Sequence, residues 1–297
     1  MVYLVGVAAA LALGMGYVLQ QRVAATMPLS DVLRLRLLLD LMHQRLWWVG
    51  LGCMVAGQLL AGLALNLAAV AVVEPLLSTS LLFALALSAS LARQRIRWQE
   101  ACGAVLVSAS LGVFIAVGNP RSSSSADTTG FKIGIAVAAV VIAVALLVAV
   151  GKRRGLVGES VLLATGAGLT YGLQDVATRG ALVVADDHGI TSMFFKPWVY
   201  LVIGAALVGI LLSQSAFKAA RLDYSLPPIA AAEPIAGIFL GVSLLGDRVS
   251  VTIPGLAVES VCLVAGVAGV ILIGRSANLA SSCGAVGTVR EVRAGSR

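Results

Sequence analysis

Apolar stretches, each near or above the roughly 20 residues needed to cross a bilayer as a helix, follow one another along almost the whole chain. Hydrophobic residues make up 59% of the sequence and charged residues 12%, a balance that a water-soluble domain could not bury in its core. Only helices and closed barrels satisfy backbone hydrogen bonds in lipid, and the alternation typical of barrel strands is absent. The sequence therefore predicts an all-α integral membrane protein.

We place about nine transmembrane helices in the chain, numbered as spans 1 to 9. The first begins at Val2 without the basic start or the cleavage site of a signal peptide, so we expect it to remain in the membrane. The predicted spans are 2–20, 46–65, 72–91, 101–118, 132–150, 159–182, 197–215, 227–245 and 254–273.

The segment 30–45, between the first two spans, carries Asp31, Arg34, Arg36 and Asp40 among leucines and ends at Arg45. Each charge would cost about 2.5–3.5 kcal/mol at the centre of a transmembrane helix. We therefore expect the segment to lie on the membrane surface. A tenth, broken span is the alternative.

Basic residues are distributed unequally between the two sides that nine spans define. Most of the 21 Lys and Arg residues fall in the connections after spans 1, 3, 5 and 7 and in the C-terminal tail. The positive-inside rule makes that side cytoplasmic, which places the N-terminus outside and the C-terminus inside in a multi-pass protein of the cytoplasmic membrane. The net charge of +7 is then explained without a nucleic acid as partner.

Two landmarks occur in the same order in both halves of the sequence, a Tyr-x-Leu-Gln pattern and a Glu-Pro doublet. They are Tyr17 to Gln20 and Glu74-Pro75 in the first half, and Tyr171 to Gln174 and Glu233-Pro234 in the second. Their spacing predicts a duplicated four-helix unit, and the odd span 5 between the copies acts as a linker helix that inverts the second copy.

The predicted organisation has four parts. They are a first four-helix repeat at 1–118 that includes the surface segment 30–45, a link with the linker helix at 119–158, a second, inverted four-helix repeat at 159–275, and a disordered basic cytoplasmic tail at 276–297.

The stretch that begins at Glu74-Pro75-Leu76-Leu77, together with Glu233-Pro234, Gly246-Asp247-Arg248 and Pro254-Gly255, resembles the drug/metabolite transporter superfamily. The resemblance covers residues 1 to about 275 and is strongest to EamA-like members and to the nine-span branch that includes NIPA-type magnesium transporters. It implies a secondary transporter of small molecules in which two inverted halves give alternating access to a central site. The superfamily commonly has ten helices, and its second helix falls here on segment 30–45.

Glu74 and Glu233 are the principal candidates for binding a substrate or a coupling ion. Ionisable residues inside a membrane are costly and usually functional, so we expect both to line a central cavity and to bind a proton, another cation or a cationic group. Pro75 and Pro234 favour a half-helix that begins at each glutamate. The alternative is that each Glu-Pro pair only caps a helix, since both residue types favour helix N-termini.

Four polar residues on spans 1 and 6 form a second group of candidates. In each span the Tyr and the Gln are three residues apart and share a helix face. They can supply hydrogen bonds to the substrate, or alternatively make contacts between helices. The four residues are Tyr17, Gln20, Tyr171 and Gln174.

Three charged residues are expected to be structural or gating groups. Asp175 and Arg179, one turn apart, most simply neutralise each other, and Glu259 is a lone carboxylate in span 9 and a candidate gate. Gln58, Ser78, Thr79 and Ser80 are polar enough to line the path, although hydroxyl groups often bond to their own helix.

Catalysis and metal binding are not predicted. The two histidines, His43 and His188, lie outside the spans, and the sequence has no nucleophile elbow, HExxH motif or phosphate loop. The four cysteines lack metal-ligand spacing, and Asp186-Asp187-His188 is interpreted as a solvated loop. We therefore expect no enzyme, no cofactor and no bound metal.

The expected partners are membrane lipid, a small-molecule substrate, and H⁺ or another cation. Export of a metabolite or drug is favoured over movement of Mg²⁺, because the sequence has no dense cluster of carboxylates, the ligands that Mg²⁺ prefers. Transport of Mg²⁺ or another cation, and a membrane scaffold without transport activity, are the two alternatives. The oligomeric state is left open.

Overall fold

The protein is helical throughout the part that the computed structural model describes, which is 2–27, 33–67, 76–77, 79–91, 98–118, 130–246 and isolated positions from 258 to 272. No β-strand occurs among these residues. The predicted all-α class is therefore confirmed for them.

Within the described residues, nine α-helices, α1 to α9, follow one another through residue 240. A short 3₁₀ helix at Ile190–Phe195 joins α7 to α8, and a π-helical turn at Gly241–Leu245 extends α9. The helices are α1 (Val2–Ala25), α2 (Leu35–Met42), α3 (Arg45–Leu67), α4 (Ser80–Leu91), α5 (Trp98–Gly118), α6 (Gly130–Gly151), α7 (Leu156–His188), α8 (Pro197–Ala219) and α9 (Leu222–Leu240).

Six helical segments in the described part are long and apolar enough to cross a membrane, which agrees with an integral membrane protein. They coincide with predicted spans 1, 2, 5, 6, 7 and 8, while spans 3 and 4 overlap α4 and α5, whose described apolar stretches are the shorter segments Ser80–Leu91 and Ala101–Phe114. Most of span 9 lies outside the described residues. The six segments are Val2–Ala25, Arg45–Ala64, Gly130–Gly151, Leu156–Asp187, Pro197–Ala219 and Leu222–Leu245.

Helix α2 lies within the segment 30–45 and has eight residues, a length of about 12 Å at 1.5 Å per residue. Leu37 and Leu41, one turn apart, are fully buried. On the opposite face, Arg36 and Asp40 are exposed and their side chains approach to 3.9 Å. The helix is thus amphipathic and, over its described length, too short to cross a bilayer.

The long helices pack in two similar groups. Helix α1 lies against α3 and α4, and α7 lies against α8 and α9. Glycine permits the first of these contacts, since a Cβ atom at Gly16 would come within 2.5 Å of Met54 Cγ and 2.8 Å of the Gly50 carbonyl oxygen on α3. Helix α6 packs mainly on α7, and much of its surface is exposed.

The most deeply buried segment is the corner between α8 and α9. Every residue from Leu212 to Ala219 and from Leu222 to Ile229 is buried. Phe217, at 1% exposure, lies in a hydrophobic cluster with residues of α1, α4, α5 and α7. The corner is therefore the point where both halves of the chain meet.

Helix α9 differs from its prediction, because it begins at Leu222 and continues without interruption through Pro227, Pro228 and Pro234. The expected half-helix beginning at Glu233 is therefore wrong, and so is the alternative that this residue caps a helix. Each proline removes one backbone hydrogen bond, but burial of the first two turns against both halves of the protein holds the helix together.

Candidate functional site

A cavity of about 330 Å³ lies between the two groups of helices. Its described polar lining comes from six helices, four from the first half of the chain and two from the second, and apolar side chains such as Leu13 and Leu81 complete the wall. The polar lining residues are Tyr17 on α1, Gln58 on α3, Ser80 on α4, Ser108 on α5, Asp175 on α7 and Glu233 on α9.

Glu233 projects into the cavity from the middle of α9, about 16 Å from the first residue of the helix at ~1.5 Å per residue. Close packing on α7 fixes its backbone. Cβ atoms at Gly168 and Gly172 would come within 2.7 Å of the Ile229 carbonyl oxygen and 2.5 Å of the Glu233 carbonyl oxygen. These two glycines, four residues apart, let the two backbones meet.

Pro234 interrupts the backbone hydrogen bonding of α9 beside the cavity. Proline has no backbone N–H, so it cannot donate the usual helical hydrogen bond to the carbonyl of Ala230, four residues earlier. Ala230, Glu233 and Pro234 all line the cavity. The break in hydrogen bonding within α9 therefore coincides with the cavity, although the helix itself does not break.

Asp175 is the second carboxylate of the cavity. It is exposed, as is Gln58, so the cavity reaches the protein surface on this side. Arg179 lies one turn further along α7 and does not belong to the lining. The sequence pointed to Asp175 only as a structural or gating residue, whereas its position makes it a candidate ligand.

Tyr17, Gln20, Tyr171 and Gln174 do not share one site, since only Tyr17 lines the cavity. The Tyr171 and Ser213 hydroxyls are 2.9 Å apart and share a hydrogen bond. Gln20 Oε1 accepts a hydrogen bond of 2.7 Å from Gln214 Nε2. Tyr171 and Gln20 therefore contact other helices, while Gln174 Oε1 is buried and has no hydrogen-bond partner within the part of the chain that the structure describes.

Three predicted site residues, Glu74, Pro75 and Glu259, lie outside the described residues. In the second half, the backbones of Ile229 and Glu233 pack against Gly168 of α7. In the first half, the backbones of Ser80 and Ala84 pack in a similar way against Gly14 of α1. Ser80 lines the cavity opposite Glu233. Its predicted place on the path agrees with this position, whereas no sequence signal distinguished Ser108.

The lining has an acidic electrostatic character. Asp175 and Glu233 are its carboxylates, and the described residues that line it include no Lys, Arg or His. Hydroxyl and amide groups surround them and can orient a bound cation or accept its hydrogen bonds. Among the residues that the structure describes, no group of three or more His, Cys, Asp or Glu side chains is placed to hold a metal ion.

Comparison with known proteins gives the chain a relative but no function. No protein-family model matches it, and no solved structure matches it significantly. An uncharacterized protein of Corynebacterium glutamicum is 31% identical over 259 residues, which cover 84% of this chain and 86% of the relative. The chain belongs to the same family as this corynebacterial protein.

Proposed function

We propose that the protein is a secondary transporter that binds a small cationic molecule in the cavity between its two halves. The observation that carries this proposal is the presence of two carboxylates, Asp175 and Glu233, in one cavity whose described lining has no basic residue. Carboxylates within a membrane are costly and are retained where they bind an ion, a proton or a substrate.

The size of the cavity favours a small molecule. Its volume of about 330 Å³ lies near the lower limit of ligand pockets, which span about 300–1,000 Å³. Tyr17, Leu13 and Leu81 supply aromatic and apolar surface beside the carboxylates. An amine or quaternary ammonium compound with a modest apolar part matches this combination, because its charge meets the carboxylates and its carbon atoms meet the apolar wall.

The proposed architecture has nine spans as an inverted duplication, four before and four after the linker helix α6. The repeated packing of α1 on α3 and α4, and of α7 on α8 and α9, supports this arrangement. Together with the resemblance of the sequence to EamA-like members of the drug/metabolite transporter superfamily, it favours alternating access by relative motion of the two halves. Exchange of H⁺ for the cation at Glu233 would couple movement of the cation in one direction to movement of H⁺ in the other.

The proposed location is the cytoplasmic membrane, with the C-terminus in the cytoplasm and the N-terminus outside. Export of a metabolite or drug is the favoured direction, since the lining offers a mixed polar and apolar surface. Transport of Mg²⁺ is the second candidate. Its support is that the polar groups of the described lining are oxygen and amide groups, because Mg²⁺ keeps most of its water and binds through one or two carboxylates.

Binding to the purified protein tests the proposal, with tetramethylammonium, Mg²⁺ and acetate as separate probes measured by calorimetry. We expect tetramethylammonium to bind and acetate not to bind. Glu233→Gln and Asp175→Asn should each weaken the binding about ten-fold or more, because each removes a charge-assisted contact. Binding of Mg²⁺ that depends on the same two residues would favour the second candidate.

Asp187→Asn provides the matched control, since Asp187 is an exposed acid on α7 outside the cavity lining. This variant should bind as the wild type does. Wild-type affinity in both cavity variants, with the protein folded, would contradict the proposed role of the two carboxylates. Uptake of the bound probe into proteoliposomes then distinguishes a transporter from a membrane scaffold.

A further inference from the structure

One side of α9 continues beyond the cavity toward the corner with α8. Asp223, Leu226, Ala230 and Glu233 follow one another at intervals of three or four residues and so form one stripe of the helix. Ala230 and Glu233 line the cavity, Asp223 lines a second, smaller space, and Leu226 lines both. The two spaces are therefore consecutive along α9.

The smaller space is nearly closed. Its volume is about 10 Å³, which is at the limit for a single water molecule. Leu81 of α4 and Leu226 of α9 line both this space and the large cavity. Both side chains are buried, at 4% and 3% exposure. These two leucines form an apolar barrier between Glu233 and Asp223.

Contacts between the two halves of the chain hold the corner beside this barrier. Gln214 of α8 donates to Gln20 of α1 at 2.7 Å, and Ser215 Oγ accepts a hydrogen bond of 3.0 Å from the Leu33 backbone N–H. The Tyr17 and Phe217 rings meet edge to face at 6.5 Å. All three contacts join elements of the first half to α8.

Basic residues surround this end of the bundle. Arg221 donates through Nε to Asp223 Oδ1 at 3.2 Å. Ser160, near the start of α7, donates to the Ala216 carbonyl at 2.8 Å, so the turn that carries Lys152 and Arg153 lies at the same end. This end is therefore the one that the distribution of basic residues predicts to be cytoplasmic.

We propose that the stripe of α9 from Glu233 to Asp223 is the cytoplasmic leg of the substrate path, and that Leu81 and Leu226 are the gate that closes it. The proposal rests on the proposed transport function. In this conformation the cavity is open to the surface at Asp175, and Leu81 and Leu226 close the path between the cavity and Asp223. Opening separates the α8–α9 corner from α1 and α2, and a cation leaving Glu233 then meets the carboxylate of Asp223.

Labelling of single cysteines tests the gate without a known substrate. The four native cysteines are replaced by serine, and Ala230→Cys or Ala104→Cys is introduced, since Ala230 lines the large cavity and Ala104 only the small space. A membrane-impermeant methanethiosulfonate reagent is applied to the non-cytoplasmic side of vesicles. We expect Ala230→Cys to react, and Ala104→Cys to react at least about ten-fold more slowly, because access of the reagent controls the rate.

Adding Leu81→Ala and Leu226→Ala should then raise the reactivity of Ala104→Cys from that side about ten-fold or more. Leu85→Ala is the matched control, since Leu85 lines only the small space and its truncation leaves the barrier intact. Elution as a single species in detergent verifies that each variant is folded.

Equal reactivity of Ala104→Cys and Ala230→Cys in the background without gate substitutions would overturn the proposal, and this comparison needs no leucine variant. A folded double-alanine protein in which Ala104→Cys stays unreactive would overturn it as well. A gate confirmed by labelling in a protein that transports no probe would retain the path and contradict the transport function, so the two failures are distinguishable.

Discussion

Gln20 and Gln214 connect the halves of the molecule through one hydrogen bond in a region closed to solvent. Gln20 is 5% exposed and Gln214 is 1% exposed, and the Nε2 to Oε1 distance is 2.7 Å. A buried amide that loses its partner cannot exchange the lost bond for one to water. The pair therefore contributes to stability chiefly because Gln214 Nε2 and Gln20 Oε1 satisfy each other, while Gln214 Oε1 stays buried without a hydrogen-bond partner among the described residues.

Replacing both glutamines should destabilise the protein by less than the sum of the two single replacements. We expect Gln20→Leu and Gln214→Leu each to lower the free energy of unfolding by about 1–3 kcal/mol, since each leaves one amide unsatisfied. The double variant should lose less than the sum, with a coupling of about 0.5–2 kcal/mol. Unfolding in mixed detergent micelles measures the four values of the cycle, and strictly additive losses would contradict the coupling.

The residue types of the cavity were predictable, but their grouping was only partly so. Glu233, Tyr17, Gln58 and Ser80 are polar groups inside apolar stretches, which marks them in the sequence because such groups are costly in lipid. Asp175 was interpreted through its neighbour Arg179, one turn away. Its place in the cavity depends on how α7 is rotated against α9, and that rotation is set by packing between distant segments.

The α7–α9 contact sets this rotation. A Cβ atom at Gly172 would lie 2.5 Å from the Glu233 carbonyl oxygen and 2.7 Å from the Gly237 backbone nitrogen. Because these neighbours are backbone atoms, α9 itself would have to move to accept a larger residue. The position of the Glu233 side chain and the closeness of the two helices therefore depend on the same glycine.

Gly172→Ala should consequently lower both stability and cation binding. We expect a loss of about 1–3 kcal/mol in unfolding free energy, the usual range for overpacking, and weaker tetramethylammonium binding because Glu233 is displaced. The control is Gly204→Ala on α8, where a Cβ atom meets nothing within 4 Å. That substitution should leave binding unchanged and stabilise the helix by up to about 1 kcal/mol. Similar effects of the two substitutions in unfolding and calorimetry would contradict a special role for Gly172.

Hydropathy located the helices well because burial in lipid depends on composition over about 20 residues. It was less informative about α9, for which the predicted span began at 227 and Pro234 favoured a new half-helix at Glu233. The segment from Leu222 to Ile229 is held by contacts with α4, α5 and α8, and a local rule about proline takes no account of such contacts. The same limitation concealed the corner between α8 and α9 as a meeting point of both halves.

At the scale of the whole molecule, the basic connections are gathered at one end of the bundle. The Gln20–Gln214 and Ser160–Ala216 contacts bring the end of α1, the α6–α7 turn and the α8–α9 corner together. These connections carry Arg22, Lys152, Arg153, Lys218 and Arg221. The helix packing therefore places these basic residues, which are far apart in the sequence, at the same end of the bundle.

Single-cysteine labelling in intact cells tests the predicted orientation of this end. In the background without native cysteines, Arg154→Cys on the exposed α6–α7 turn should be protected from an impermeant maleimide. Asp187→Cys, exposed at the other end of α7, should react. The reason is that α7 has 33 residues, or about 50 Å of helix, enough to carry its ends to opposite sides of a hydrocarbon core of roughly 30 Å.

Cysteines at Val2 and Ser276 extend the test to the nine-span topology. An odd number of spans requires the Val2→Cys site to react from outside and the Ser276→Cys site to react only after the membrane is permeabilised. Permeabilised cells, in which all four sites should react, show that protection reflects sidedness and not burial. Protection of both Val2→Cys and Ser276→Cys in intact cells would require an even number of spans, and segment 30–45 would then be the first candidate for the additional crossing.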